Sequence, residues 1–351
     1  MNADYDHGIR GFTLVELMVG ITVGLLVSLA SISVFVSTRK LQTVGAAKSH
    51  MGENARLAME LMEKDFRSAG FLGCKPLLED APVSLLATSG GMFLDGDSGG
   101  LGGSHGDGTA FTPALNATLA GLAQPPNPSS DVVSLRVPIE PMSLGLAAPM
   151  TTSSGVPTVG ANTAGNAILS GDIVLIANCK AAAMFQVTEA APATTGLLTH
   201  ATGGTFYPGN ATTDLQQVFH GDAAVYRLAT HHYYIAPSVT HAGTNSMWRY
   251  TFPNNDGSAN PQEVVQGVDR MLVTYGIDAG DQIASKYVDA SGVTSWSSVI
   301  AARIRLLTAS VADGVTLGVQ AASFAGTNVV PTDHRLRTQL SQVVTLRNHA
   351  P

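Results

Sequence analysis

The sequence predicts an α+β protein in which a long N-terminal helix packs on the mainly antiparallel β-sheet of a globular head. Three observations predict this fold. An unbroken apolar stretch covers residues 12–36. Apolar residues then recur at helical spacing as far as Ala69. Beyond Gly70 strong helical periodicity is absent, and short segments rich in Val, Ile, Thr and Tyr alternate with turn-forming residues.

The composition is that of a large head joined to one long apolar segment. Of 351 residues, 45% are apolar and only 13% are charged, against a usual charged share of about 25%. The low charge reflects the apolar stretch and long segments rich in Gly, Ser, Thr and Ala. The length allows one or two domains with a sizeable core. The net charge of -7 gives no indication of a nucleic-acid-binding surface.

The apolar stretch from Phe12 to Val36 is about 25 residues long, enough for a helix to cross a bilayer core. Arg39 and Lys40 follow it, and Glu16 is its single ionisable residue. A secretory signal peptide is one interpretation, but its apolar region would be shorter, about 7–15 residues. A plain membrane anchor is a second interpretation, but it leaves unexplained a carboxylate that costs about 2–3 kcal/mol in a membrane. Glu16 therefore indicates a function beyond anchoring.

The helical pattern continues past Lys40 as an amphipathic stretch. One face carries an apolar stripe that predicts packing against the head, formed by Met51, Ala55, Ala58, Met62, Phe66 and Ala69. The other face carries two acid–base pairs at i,i+4 spacing, Glu60 with Lys64 and Glu63 with Arg67. Gly70 is typical of a helix stop, so we expect one helix over residues 12–69, with a bend near Gly45 as an option.

The head is expected to be β-rich after an irregular beginning. Residues 82–128 are rich in Gly, Ser and Pro and poor in aromatic residues, which predicts a long surface loop. Strands are predicted at Asp131–Val137, Asp172–Ala177, Ala183–Thr188, Ala223–His232, Met247–Phe252, Met271–Ile277, Val299–Thr308 and Gln339–Leu346. Turn-forming residues separate these segments, so we expect antiparallel pairing.

The chemistry of the two cysteines, Cys74 and Cys179, depends on the compartment. Two are too few for a cysteine-based zinc site, and neither belongs to a Cys-x-x-Cys pair. In a reducing cytosol they would remain thiols. In an exported protein we expect a disulfide that ties the end of the helix to the sheet, with two buried thiols as the alternative.

One local pattern matches the nucleophile motif of serine proteases, Gly96-Asp97-Ser98-Gly99-Gly100. In that family the catalytic His and Asp precede the Ser in the chain. Only His7 and His50 precede Ser98, and neither has a supporting motif. We therefore expect the match to be accidental and the protein not to be an enzyme.

Two further patterns raise the question of a metal site. Asp95, Asp97 and Ser98 do not complete an EF-hand, because position 106 is Gly where the pattern needs Glu; a looser calcium site stays open. His231 and His232 are neighbours in a predicted strand, so their side chains point to opposite faces and make poor co-ligands. We expect no cofactor.

The residues around Phe12 resemble the class III signal of type IV pilins: a short polar leader ending in Gly11, then Phe-Thr-Leu-Val-Glu-Leu, then an apolar helix. The resemblance implies that a prepilin peptidase cuts between Gly11 and Phe12, and that Phe12 is then N-methylated. Glu16 would become the fifth mature residue. In a filament its carboxylate would pair with the Phe12 ammonium of a neighbouring subunit, and removing one partner of such a buried pair costs about 3–5 kcal/mol.

Two segments resemble a narrower group, the minor pilins called PilW. The first is the stretch from Met51 to Cys74, where the amphipathic helix closes on Ala-Gly-Phe and then Gly-Cys. The second covers the last predicted strands, from Val268 to Asn348. No motif of that group is found over residues 82–165.

This resemblance implies a non-catalytic minor pilin that acts in assembly initiation and in the tip complex of a type IV pilus, with roles in cell adhesion and twitching motility. Its partners would be other minor pilins, the major pilin, prepilin peptidase and, as a further candidate, a large tip adhesin. Before assembly it would cross the inner membrane once, with its head in the periplasm; afterwards it would belong to the extracellular pilus.

The implied organisation is a leader over residues 1–11, a pilin helix over 12–70 with its membrane part at 12–36, and a head over 71–351. Two alternatives share part of this plan. One is a minor pseudopilin of a type II secretion system, which has the same N-terminus and architecture. The other is a membrane-anchored binding or enzymatic domain, in which Phe12 would stay uncleaved.

Overall fold

The computed structural model describes residues 11–74, 81–87, 91–94, 98–161 and 167–349. The leader as far as Arg10 and the candidate calcium ligands Asp95 and Asp97 lie outside these ranges. The described chain has the predicted α+β architecture, a long N-terminal helix attached to a head of mainly antiparallel sheets.

Helix α1 (Leu14–Ser68) is one element of 55 residues, which corresponds to a length of about 80 Å. It begins at the N-cap Thr13 and ends at the C-cap Ala69. Gly70 follows with a φ of 72°, the left-handed conformation that favours glycine after a helix. The helix is uninterrupted at Gly45. The single long helix predicted from the sequence is confirmed.

Fifteen strands follow in the described part of the head. They are β1 (Val83–Ser84), β2 (Leu101–Gly106), β3 (Phe111–Thr112), β4 (Val132–Gly145), β5 (Ile173–Ala177), β6 (Ala182–Gln186), β7 (Ala224–Pro237), β8 (Asn245–Phe252), β9 (Gln262–Gln266), β10 (Val268–Asp278), β11 (Ala284–Val288), β12 (Val299–Ala309), β13 (Ala322–Phe324), β14 (Thr327–Val329) and β15 (Arg337–Thr345). Two short helices are α2 (Ala117–Ala120) and α3 (Pro192–Thr195). Each of the eight predicted strands overlaps one observed strand. In chain order these are β4, β5, β6, β7, β8, β10, β12 and β15.

The larger sheet has nine strands in the order β1-β6-β5-β7-β4-β2-β3, with β8 beside β7 and β9 beside β8. β7 is long enough to pair with two strands in succession along one edge. Its residues 224–228 pair with β5, and its residues 230–237 pair with β8. β4 pairs with the same strand on its other edge. Because β7 takes part in all three pairings, it is the central strand of the head.

The smaller sheet has four antiparallel strands in the order β11-β10-β12-β15, and β13 and β14 form a separate hairpin. Helix α1 contacts both sheets, through β4 and β9 of the larger one and β12 and β15 of the smaller one. One described strand pair, β1 with β6, is parallel. The mainly antiparallel arrangement predicted from turn spacing is confirmed.

The main core lies between α1 and the two sheets. The helix contributes Ala58, Met59, Met62, Phe66 and Ala69, each at most 3% exposed. The sheets contribute apolar residues that include Leu135, Tyr233, Met271, Tyr275, Ile304 and Leu306. Met51 and Ala55, the remaining residues of the predicted stripe, are buried as well. The stripe is therefore the face by which the helix joins the head.

The prediction of a surface loop over residues 82–128 is corrected by the structure, because β1, β2, β3 and α2 lie within it. The glycines of β2 are needed for close packing. A Cβ at Gly103 would lie 2.6 Å from the Tyr275 hydroxyl oxygen, and a Cβ at Gly106 would lie 2.3 Å from the Pro128 carbonyl oxygen. Glycine in a strand often marks such a close approach. At these two positions of β2, glycine therefore reflects close packing within the head.

Candidate functional site

The N-terminus of α1 is closed by a capping box between Thr13 and Glu16. The Glu16 carboxylate accepts hydrogen bonds from the Thr13 backbone N–H and hydroxyl, both at 3.0 Å. The Thr13 hydroxyl in turn accepts the Glu16 backbone N–H at 3.2 Å. A capping box satisfies two backbone donors that a helix start otherwise leaves unpaired. In the single chain, Glu16 is thus held by its own helix.

The predicted cleavage junction directly precedes this cap. Gly11 and Phe12 are exposed and lie outside the helix, and Phe12 is 87% exposed. A Cβ placed on Gly11 would meet nothing within 4 Å. Gly11 and Phe12, predicted for processing, and Glu16, predicted for subunit contact, therefore lie in one short accessible segment.

The first part of α1 extends away from the head. It contains a window of 18 residues that is apolar enough to cross a membrane, and none of that window is buried. Its large apolar side chains are exposed, among them Leu17, Ile21, Leu25, Leu29, Ile32 and Phe35. A surface of this kind needs lipid or other protein around it. We call residues 12–39 the bare half of the helix and residues 40–68 the attached half.

The hydroxyl groups of the apolar stretch, residues 12–36, find partners within the helix. Hydroxyls that donate to backbone carbonyls at 2.8–2.9 Å are those of Thr22, Ser28, Ser31 and Ser33. They therefore carry no unmet hydrogen bond into an apolar medium. A Cβ at Gly20 or Gly24 would meet nothing within 4 Å, so this Gly-x-x-x-Gly face is open to a neighbouring helix.

Polar contacts join the attached half to the head beside its apolar stripe. The Asn54 side chain donates to the Gln266 carbonyl at 3.1 Å, and the Gln342 side chain donates to the Glu63 carboxylate at 2.6 Å. Glu63 also forms the predicted ion pair with Arg67. These bonds fix the position of the helix along both sheets.

A buried carboxylate on this interface was missed by sequence reasoning. Asp65 is 7% exposed. Its Oδ2 lies 2.6 Å from His231 Nδ1 and accepts the Tyr233 hydroxyl at 2.7 Å. Because residues two apart in a strand share a face, both partners on β7 meet the helix. Burial raises the pKa of Tyr233 well above its usual value, and the charge of Asp65 adds to that rise, so the phenol remains a donor. The sequence feature that could have predicted this contact is an acidic residue beside Phe66, within the apolar stripe.

His232 points away from the helix. Its Nδ1 lies 2.7 Å from the Ser134 hydroxyl oxygen and its Nε2 lies 3.0 Å from the Met92 carbonyl oxygen. Burial lowers the pKa of His232 to about 4, so the ring is neutral near neutral pH. Nε2 then donates to the carbonyl, and Nδ1 accepts the hydroxyl. The prediction that His231 and His232 face opposite sides of the strand is confirmed.

The structure joins Cys74 and Cys179 in a disulfide, with their Cα atoms 4.5 Å apart. Gly73 precedes the bridge with a φ of 70°, and a Cβ there would lie 3.2 Å from the Ala177 side chain. The close approach explains why glycine stands at this position. The bridge lies just beyond the attached half of α1 and links the chain there to the end of β5.

In the described chain, the residues considered for catalysis and metal binding are not grouped into a catalytic or metal site. Gly96 and Asp97 of the protease-like motif lie outside the described residues, and the Ser98 hydroxyl accepts the Gly100 N–H at 3.3 Å. His50 is exposed on α1 and pairs with Glu53 at 3.6 Å. Over the described ranges, no three His, Cys, Asp or Glu side chains are grouped to hold a metal ion.

Two family models match the chain, one at each end. The prokaryotic N-terminal methylation motif matches residues 7–32, and the type IV pilus-assembly protein W, PilW, matches residues 232–348. These two matches support a PilW-like type IV minor pilin. The first match contains Gly11, Phe12 and Glu16 of this pilin. The second covers the end of β7 and the strands from β8 to β15, which include β9, β12 and β15 beside α1.

The chain is also similar to the solved structure of a type IV-like pilin from Thermus thermophilus. The two share 12% sequence identity over 86% of this chain and 97% of that chain, with a TM-score of 0.30. No curated protein sequence matches the chain. The identification of the PilW-like pilin therefore depends on the two family matches.

The matches support a minor pilin that takes part in type IV pilus assembly. The methylation motif implies processing by a prepilin peptidase and other pilins as partners. Together with the bare apolar helix, the same motif indicates a membrane anchor. Similarity to pilins implies a structural, non-catalytic role for this PilW-like chain.

Proposed function

We propose that the chain is cut between Gly11 and Phe12 and anchored in the inner membrane by α1, with its head in the periplasm. It then joins other minor pilins in the complex that starts a type IV pilus and remains at its tip. The role is assembly without catalysis. The major pilin and a large tip adhesin are the further partners of this complex.

One structural contrast supports this proposal. One face of the attached half of α1 is covered by the head, whereas the apolar side chains of the bare half are exposed. A bilayer covers such a surface before assembly, and the apolar helices of other pilins cover it afterwards. Because both halves belong to one continuous helix, withdrawing the bare half from the membrane carries the head with it.

Glu16 has the geometry to exchange its local partners for a subunit contact. Its capping bonds to Thr13 are all within one helical turn and exposed. Cleavage creates an ammonium at Phe12, and an ammonium is the stronger partner for a carboxylate in an apolar medium. The amine of a neighbouring subunit at this position would neutralise both charges and set the stagger between the two helices.

The size of the head supports a place at the end of the filament. The described chain beyond residue 70 contains a nine-stranded and a four-stranded sheet, and a single helix carries them. Within a filament the heads of successive subunits must fit side by side at the spacing of their packed helices. The tip relaxes that limit because no subunit lies above it.

The test uses cells that lack the native copy and carry either the wild type, Glu16→Gln or the control Glu53→Gln. Glu53 is also exposed on α1, but it lies beyond the apolar stretch. The wild-type chain purified from membranes should begin at N-methylated Phe12 by mass spectrometry. Glu16→Gln should be processed and membrane-bound yet fail to restore surface pili, whereas Glu53→Gln should restore them.

Each part of the proposal can fail separately. A membrane-bound chain that still begins at Met1 contradicts processing and favours the plain anchored domain. Normal piliation with Glu16→Gln contradicts the role of Glu16. Normal pili combined with a loss of protein secretion in cells that lack the chain would favour the type II secretion alternative.

A further inference from the structure

The head extends along α1 almost to the end of its apolar stretch. Lys40, Val44 and Ala47 are half-buried, while residues 41–43 between them are exposed. Their spacing of four and three places them on one face of the helix. Lys40 lies four residues beyond Val36, or about 6 Å along the helix axis. The headgroup layer on each side of a bilayer is about 5–7 Å thick, so the head reaches headgroup level.

Two segments of the head approach the helix at this level. They line a groove of about 690 Å³ whose helix side includes Thr43, Ala47 and His50. One segment is the turn between β7 and β8, which contributes His241. The other is the end of β12 with the chain that follows it, which contributes residues 309–312 and 315. We call residues 238–244 and 310–336 together the membrane-facing end of the head.

Hydrogen bonds hold the second segment together as one unit. The Thr316 N–H donates to the His334 carbonyl at 2.9 Å, and the His334 N–H donates to the Asp313 carboxylate at 2.9 Å. The Ser310 N–H donates to the Leu336 carbonyl at 2.8 Å. Residues 310–318 and 334–336 therefore lie side by side beneath the end of the smaller sheet.

This end carries exposed aliphatic side chains. Leu317 is 86% exposed, the highest value among large apolar residues of the described head. Three others are exposed on the same two segments: Val330 at 68%, Val239 at 62% and Val319 at 47%. Single exposed apolar residues are ordinary, but four on the two segments that approach α1 at headgroup level favour contact with lipid.

The charges around these residues are largely engaged within the head. Arg337 binds Asp269 and Asp333, both at 2.6 Å. Arg335 donates to the Ser310 and Val311 carbonyls. A surface whose arginines are paired in this way has little charge left for anionic lipids, so its attraction to a bilayer is apolar.

We propose that the membrane-facing end rests on the bilayer before assembly, with Leu317 and the neighbouring valines at the boundary between headgroups and acyl chains. The inference depends on the proposed membrane placement of α1. Such contact would fix the orientation of the head relative to the membrane and would be released when the subunit is withdrawn.

The test places single full-length mature chains in nanodiscs of phosphatidylcholine and reads an environment-sensitive fluorophore on an introduced cysteine. Leu317→Cys reports on the proposed contact, and Val23→Cys reports on the membrane placement of α1. Val156→Cys is the matched control, because Val156 is 43% exposed and follows β4, whose end at Gly145 pairs with the start of β7 away from the membrane. The native cysteines are joined and take no label.

The label at Leu317→Cys should shift its emission to the blue and be quenched more by lipids that carry the quencher near the headgroup than by lipids that carry it deep in the acyl chain. The label at Val23→Cys should show the reverse preference, and the label at Val156→Cys should be quenched by neither. Adding phosphatidylglycerol or salt should leave the Leu317→Cys signal unchanged, because the attraction is apolar.

Two results separate the failures. If Val23→Cys is quenched and Leu317→Cys behaves like Val156→Cys, the membrane contact of the head is overturned while the anchor stands. If Val23→Cys is not quenched, the proposed membrane placement itself fails. A Leu317→Cys label that leaves water only when other pilins are added would also overturn the proposal, because the patch would then bind protein instead of lipid.

Discussion

The two halves of helix α1 differ in what covers them, although they belong to one continuous element. The attached half buries one face, with Met62 and Phe66 fully enclosed by the head. The bare half exposes its side chains all round, with Phe35 at 59%. A helix with one apolar face can be covered by a single sheet or domain, whereas a helix that is apolar all round needs a surrounding medium.

The comparison shows that stability and assembly are assigned to different parts of one helix. Residues of the attached half contribute to the free energy of unfolding of the head. Residues of the bare half contribute to partition into a membrane or filament, and the folded head does not depend on them. Substitutions in the two halves should therefore affect different measurements.

Loss of the disulfide beyond the attached half should have the largest effect. The bridge spans 105 positions, for which the chain-entropy account gives roughly 4–5 kcal/mol of stabilisation. Denaturant unfolding of the detergent-solubilised full chain should show a reduction of this order for the Cys74→Ser/Cys179→Ser variant. Reductant should destabilise the wild type and leave the variant unchanged. Two free thiols in protein taken from the periplasm would contradict the prediction.

A matched pair of phenylalanines tests the contrast directly. Phe66→Ala should lower the free energy of unfolding of the head by about 3–5 kcal/mol, because it leaves a cavity in the main core. Phe35→Ala removes the same atoms from an exposed site of the bare half and should leave that free energy unchanged. Denaturant unfolding of both variants measures the difference. Equal losses would mean that the bare half also supports the head.

His232 should make the head less stable in acid. The folded chain holds its pKa at about 4 against an ordinary value of 6.5, so the unfolded chain binds a proton that the folded chain excludes. The contribution of neutral His232 to the free energy of unfolding is fully present above about pH 6.5 and is lost as the pH falls towards 4. The loss is at most about 3 kcal/mol.

The variant His232→Gln isolates this effect, because its amide can still donate to the Met92 carbonyl. Its free energy of unfolding should fall less than that of the wild type across the same pH window. Burial also raises the pKa of Asp131, Asp172 and Asp269, but those groups are common to both proteins and cancel in the comparison. Parallel pH profiles for the two proteins would contradict the assignment.

Asp65 should show the smallest of these effects. Asp65→Ala leaves His231 and Tyr233 buried without their acceptor, which should lower the free energy of unfolding by about 1–3 kcal/mol. Asp65→Asn keeps an acceptor oxygen and should lower it less. The exposed Glu53→Gln serves as the control on the same helix and should cause no change. If Asp65→Ala matched that control, the buried contact would contribute nothing to helix attachment.

Sequence reasoning succeeded where a regular period carried the information. The stripe from Met51 to Ala69 repeats at helical spacing, and each of its residues is buried. The predicted strands β4 to β8, β10, β12 and β15 are rich in residues that suit a pleated surface. Strand β2 was missed because its glycines are typical of loops. They are needed for close contact with residues distant in the chain, such as Tyr275.

The sequence by itself determined the helix, its apolar and amphipathic parts, the candidate processing segment at Gly11 to Glu16, and most strands, because these depend on neighbours along the chain. Only the tertiary structure decided that Asp65 meets β7, that residues 82–128 contain sheet, and how far the head extends along α1. These features depend on contacts between residues far apart in the chain, and no local period encodes such contacts.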